Sequence, residues 1–288
     1  MKQKTKGILC SISAAFFFAL MGLCVRMAGD IPSMQKSFFR NLVAFGVAAV
    51  MLLKEQKKVE IKKGDWKFLI MRAFFGTIGI FCNFYAVDHL VLSDASMLNK
   101  LSPFFSIIFA YILLKERVNL VQGIAVITAF TGALFIIKPS GNFTNFPALI
   151  GMLGGLGAGI AYTMVRILGK RGVKGTFVIF FFSAFSCLAS IPFMLGSNFT
   201  PMSVKQVLFL LGAGAAATGG QFSITKAYYC APAKELSVYD YSQIVFSALM
   251  GFIVLGQTPD LYSFIGYFII CATAVGMYLY NVKVVKEA

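Results

Sequence analysis

One apolar stretch follows another along this chain, each about twenty residues long and separated by short polar breaks. A bilayer core is about 30 Å thick, so roughly 20 mostly apolar residues cross it as a helix. Lipid offers backbone groups no partners, so a spanning segment has to be a helix or part of a closed barrel. Ten helices are expected here, at 7–28, 34–53, 67–87, 94–115, 119–137, 147–168, 176–195, 205–226, 234–256 and 261–281. Turn chemistry marks the breaks, as in GDIPS, KPSGNFTNFP and GQTPD. Only 13% of the 288 residues are charged, against about a quarter in a soluble domain. The expectation is an all-α integral membrane protein of ten transmembrane helices. Its basic start and apolar first stretch resemble a signal peptide. That stretch is too long for one and lacks an A-x-A site, so it reads as the first span.

Charge sets the expected orientation. With the N-terminus inside, the inner segments hold seventeen Lys and Arg and the outer segments hold three, Lys36, Lys138 and Lys205. The positive-inside rule then places both termini in the cytoplasm. The net charge of +15 follows from these loops facing an anionic leaflet, with no nucleic acid needed. The six cysteines are scattered, with no CxxC pair, and read as apolar filler. No metal or cofactor is expected.

The chain repeats itself. Shifted by 141 residues, SMLNKLSPFFSIIFAYILLKE at Ser96 to Glu116 lies over SVYDYSQIVFSALMGFIVLGQ at Ser237 to Gln257. Ser96 meets Ser237, Ser106 meets Ser247, and Asn99 meets Asp240. V-R-M at Val25 to Met27 meets V-R-I at Val165 to Ile167, and GIAVITAFTG at Gly123 faces GYFIICATAVG at Gly266. Each half holds five helices, an odd number, so the second half enters the membrane from the opposite side. The expected domains are 1–140 and 141–288, two inverted five-helix repeats. In secondary transporters such repeats hold the substrate near the midplane, and alternating access follows from exchanging equivalent conformations.

Several motifs carry a resemblance across the whole chain. They are FFRNLVA at Phe38 to Ala44, RAFFGTIGIFCNFYAV at Arg72 to Val87, SDASMLNKLSPFFSIIFAYILLKERV at Ser93 to Val118 and GIAVITAFTGALFI at Gly123 to Ile136. They resemble the EamA-type proteins of the drug/metabolite transporter superfamily, ten-helix transporters built from two five-helix repeats. Lys115 stands where Gly is common, GQTPD replaces the second G-E, and Ile244 stands where Pro is common. The resemblance implies a cavity lined by the first four helices of each half, with the fifth and tenth outside as scaffold or dimer contact. It does not imply a substrate, because the superfamily moves amino acids, nucleotide sugars, cations, cofactors and drugs.

Charged groups inside spans are costly and usually face a cavity or a partner. Lys100 and Asn99 sit in span four just before Pro103, which removes a backbone donor there. Lys100 suits an anionic substrate group, pairing with Asp94 or Asp240, or snorkelling to the interface. Asp240 lies in a polar, aromatic patch with Tyr239, Tyr241 and Gln243, and is a candidate for proton coupling or a static salt bridge. Arg40 matches the family's span-two Arg. The expected substrate-binding set is Arg40, Asn83, Tyr85, Asn99, Lys100, Tyr239, Asp240 and Gln243. Arg26 and Arg166 are expected to anchor helix ends, Arg72 and Lys226 to snorkel at the cytoplasmic edge, and Glu116 to fix a turn.

Other signals are bland. His89 is the only histidine and falls in a turn. MLGGLGAGIAYT at Met152 to Thr163 has no Walker Lys and reads as a helix-packing face. Two N-x-T sequons, at Asn142 and Asn198, fall in expected outer loops. The sequence therefore points to a secondary-active transporter of small polar metabolites, amino acids or organic anions among them, in the plasma (inner) membrane. Export is favoured on family grounds. A proton or counter-substrate and a second copy of the chain are the further partners considered. A membrane enzyme acting on lipid is disfavoured by the lack of HExxH or GxGD, and a passive channel is the other alternative.

Overall fold

The computed structural model describes residues 3–54, 61–114, 119–137, 146–195, 199–231, 236 and 239–287. Glu116, Glu235, Lys138 and the sequon residues Asn142 and Asn198 lie outside them. The described residues are helical almost throughout. The helices are α1 (Gln3–Met27), α2 (Ser33–Lys54), α3 (Trp66–His89), α4 (Leu92–Asn99), α5 (Ser102–Leu114) and α6 (Leu120–Ile137). The second half holds α7 (Phe146–Lys170), α8 (Gly175–Met194), α9 (Val204–Cys230), α10 (Ser242–Leu255) and α11 (Leu261–Glu287). Seven of them, α1, α2, α3, α7, α8, α9 and α11, are long and apolar enough to cross a membrane.

The expected single helix at 94–115 is two helices. The chain leaves α-helical geometry at Lys100 and Leu101, then restarts as α5. Pro103 is not the break itself. It sits in the first turn of α5, where its missing N–H would have had no helical partner anyway. The expected span at 234–256 is likewise interrupted, with Tyr241 as the residue before α10. Lys100 and Tyr241 are 141 positions apart, so both halves break their fourth span at the same place. The Tyr241 hydroxyl donates to the Lys100 carbonyl at 3.0 Å, satisfying an oxygen that the break frees.

The halves interleave instead of lying side by side. The most extensive packing joins α1 to α9, α3 to α7, α2 to α8 and α6 to α11, and every pair takes one helix from each half. Glycine permits the closest of these approaches. A Cβ on Gly155 of α7 would stand 2.5 Å from the Leu98 carbonyl oxygen of α4. One on Gly159 would stand 2.8 Å from that of Ser102. Gly132 and Gly266 bring α6 and α11 together in the same way. The glycine stripe of α7 is thus a packing face, as small residues in membrane helices usually are. The outer faces of α6 and α11 stay apolar and exposed, with Ile127 at 70% and Phe268 at 76%.

The basic residues Lys62, Lys63, Lys67, Lys170, Arg171 and Lys174 gather at the end where α1 begins. There Arg171, after α7, pairs with Asp65 before α3 at 2.7 Å. At the opposite end Lys36 of α2 pairs with Asp88 of α3 at 2.5 Å. Arg26 donates to the carbonyls of Val87 and Asp88, and so ties α1 to the end of α3. Gln35 exchanges two bonds with the Thr200 backbone, and Gln206 donates to the Ala28 carbonyl.

Candidate functional site

A small cavity lies between the halves, about 60 Å³ in volume. Its wall takes residues from α1, α2, α3, α4, α7, α8, α9 and α10, and none from α6 or α11. Two arginines dominate it. Arg40 of α2 is 1% exposed and Arg72 of α3 is 3% exposed. The ring of Phe182 in α8 lies against both guanidinium groups, 3.9 Å from Arg72 Cζ and 5.8 Å from Arg40 Cζ. Arg40 and Phe182 are each the eighth residue of their helix. Room for the Arg72 side chain comes from Gly76, one turn on, where a Cβ would collide with the guanidinium.

Amide side chains orient the pair. Arg40 Nη1 donates to Asn41 Oδ1, and Arg72 Nη2 donates to Gln221 Oε1 at 3.0 Å. Asn41 is itself held by Ser37 and by Ser186 at 2.8 Å. Among the described residues neither arginine meets a carboxylate, and the Nε atoms of both are buried without a partner. Gln243 Oε1 is also buried without one. Asn83, Asn99 and Tyr162 complete the polar part of the wall, and Phe18, Met21 and Ile80 give it an apolar side.

The sequence-expected residues divide into groups. Arg40, Asn83, Asn99 and Gln243 come together on this cavity. Lys100 and Asp240 are buried outside its lining. Asp240 accepts from the Ser11 hydroxyl at 2.5 Å, and its charge is felt by Lys100. Tyr239 packs edge-on against Tyr278 of α11, 6.0 Å between centroids, also away from the cavity. Tyr85 stacks on His89 in a wider recess of about 540 Å³ at the opposite end, which Arg26, Lys36 and Asp88 also line. Lys36, which lines that recess, lies one helical turn before Arg40, which lines the cavity.

Arg72 does not snorkel. It turns inward, because the Gly76 gap and the Phe182 face accept the guanidinium and Gln221 bonds it. Gln221 and Tyr162 were not among the expected residues. The signal for Gln221 was present in the sequence, since it is the lone amide in GAGAAATGGQF. Of the other span acids, Asp94 accepts from the Tyr267 hydroxyl and so ties α4 to α11.

Comparisons with known proteins agree with this architecture. A pseudopaline exporter, CntI, from Pseudomonas aeruginosa is 30% identical over 94% of this chain and 95% of its own. Human solute carrier family 35 member G1 is 26% identical, over 94% of this chain and 78% of its own. A riboflavin transporter from Vibrio cholerae is 26% identical, over 88% and 86%. A protein of known crystal structure superposes with a TM-score of 0.70 over 98% of both chains at 15% identity, which shows the shared fold. The profile of the EamA-like transporter family matches twice, over residues 5–138 and again over 146–279. With one family match on each half and the cavity between them, the chain is a member of the EamA-like transporter family.

Proposed function

We propose that this protein is a secondary-active exporter of small polar metabolites, working by alternating access between two inverted halves, 1–140 and 141–288. The single observation that carries this reading is the polar, arginine-bearing cavity enclosed by helices of both halves. The kinship with proteins named as exporters and transporters supports it. Drug-sized ligand pockets run to roughly 300–1,000 Å³, so a cavity of about 60 Å³ has to widen to load. In this proposal α4 with α5, and α10 with residues 239–241 before it, each make one crossing. That gives ten crossings with both termini in the cytoplasm, in the plasma (inner) membrane. Arg40, Arg72, Asn83, Asn99, Gln221 and Gln243 would contact substrate. The wider recess with Tyr85 is the outer vestibule. Asp240 is the proton-coupling group, with Lys100 beside it. The exposed faces of α6 and α11 meet lipid or a second copy.

The test is substrate counterflow in liposomes containing the purified protein, with candidate metabolites loaded on the inside. Counterflow that requires internal substrate supports a carrier. Equal uptake with and without internal substrate favours a channel, and chemical conversion of an added metabolite or lipid favours an enzyme.

A further inference from the structure

Taking the cavity as the substrate site, we infer that it is built for an amino- or hydroxycarboxylate, with the carboxylate held between Arg40 and Arg72 and a donor group of the same molecule bonded to Gln243. Two guanidinium groups are buried on one cavity wall, both against the Phe182 ring, with no carboxylate on either among the described residues. Each is already turned by an amide partner, Asn41 or Gln221, and each keeps an Nε–H unused. A pair of fixed, planar donors with spare hydrogens is the arrangement that receives a carboxylate in charge-assisted bonds. The Phe182 ring lies against both groups, and their burial strengthens their attraction for an anion. The same wall carries an acceptor with nothing to accept from, Gln243 Oε1. A bare carboxylate would leave that oxygen unsatisfied, whereas an ammonium or hydroxyl group on the ligand would fill it.

The anion and the donor therefore belong to one molecule. Inorganic phosphate satisfies only the arginine side. An organic cation finds two like charges. The acids of the bundle do not compete for the guanidinium groups: Asp240 is taken by Ser11, Asp88 by Lys36 and Ser33, and Asp94 by Tyr267.

The experiment is thermal shift and calorimetric titration of the purified full-length protein with malate, aspartate, succinate, inorganic phosphate and choline. Malate or aspartate should bind and raise the melting temperature, with succinate weaker. Arg40→Gln and Arg72→Gln should each weaken binding at least about tenfold. Gln243→Leu should weaken malate far more than succinate, and so remove the preference of malate over succinate. That third variant, with no charge altered, decides the matter if the arginine variants fail to purify. Phosphate as the sole binder, or binding indifferent to all three variants, overturns the assignment. So does failure of all three carboxylates at millimolar concentration. Choline binding with normal counterflow of an organic cation would overturn it while leaving the transporter reading intact.

Discussion

Two guanidinium groups without a carboxylate are expensive in a bundle interior, because each loses hydration and repels the other. Among the described residues Arg72 makes one hydrogen bond, to Gln221. Arg72→Met should raise the melting temperature of the ligand-free protein, by an amount corresponding to about 1–2 kcal/mol. The same variant should lose stabilisation by carboxylates. Differential scanning fluorimetry with and without ligand reads both effects. Asp240 belongs to a separate polar contact with Ser11, outside the cavity. Asp240→Asn should therefore leave substrate affinity within about twofold, a difference well under 1 kcal/mol. It should also abolish the stimulation of transport by a proton gradient, as liposome flux at several imposed gradients would show. A polar residue in an apolar run was enough to point to Arg40, Asn83, Asn99 and Gln243. Depth in the membrane could be read from sequence, but direction could not. Arg72 sits near a helix end by count, yet Gly76 and Phe182 turn it inward.

At the level of elements, the break in the fourth span of each half is held by contacts with a neighbour. Removing the Tyr241 hydroxyl leaves the Lys100 carbonyl unsatisfied in an apolar setting, at a cost of about 1–3 kcal/mol. Tyr241→Phe should lower the melting temperature accordingly and slow transport, because α4 and α5 lose the contact that fixes their junction. Gly155 presses α7 onto the same junction. Gly155→Ala places a methyl group against the Leu98 carbonyl, and should lower both thermal stability and flux. Gly46 of α2 is the control, for a Cβ there meets nothing within 4 Å. Gly46→Ala should be neutral or stabilising by about 0.5–1 kcal/mol, the usual gain of Ala over Gly within a helix. The repeat motif showed that spans four and nine correspond, and Pro103 hinted at the break. It did not show that Tyr241 reaches across to Lys100, because cross-half packing depends on interleaving that neither half's sequence contains.

For the molecule as a whole, the proposed inverted arrangement of the two halves implies two equivalent sets of end contacts that differ only where the sequences differ. The Asp65 carboxylate accepts from the Lys62 backbone N–H before α3, and Ser203 and Gln206 form a capping box at the start of α9, each 141 positions later. At the end with the basic loops, Asp65 also pairs with Arg171, an ion pair with Asp65 only 2% exposed. At the other end, Gln206 makes only a neutral bond to the Ala28 carbonyl. Of these two repeat-related contacts, the one at the end with the basic loops carries an ion pair and the other does not, and under the proposed alternating access this difference biases the carrier toward closure at that end. Arg171→Gln removes the ion pair while leaving the Asp65 cap on the Lys62 N–H intact. A loss of about 1 kcal/mol shifts the equilibrium roughly fivefold toward opening at that end. The protein carries its own reporter, because its single tryptophan, Trp66, follows Asp65 and packs edge-on against Phe181 of α8, 5.7 Å between centroids. In Arg171→Gln the emission of Trp66 should move to longer wavelength as that contact opens to water. Substrate offered from the same side should bind more tightly by a similar factor. Unchanged emission together with unchanged affinity would mean that the Asp65–Arg171 pair does not bias the two arrangements, and that the asymmetry of the carrier lies in the contacts of the opposite end.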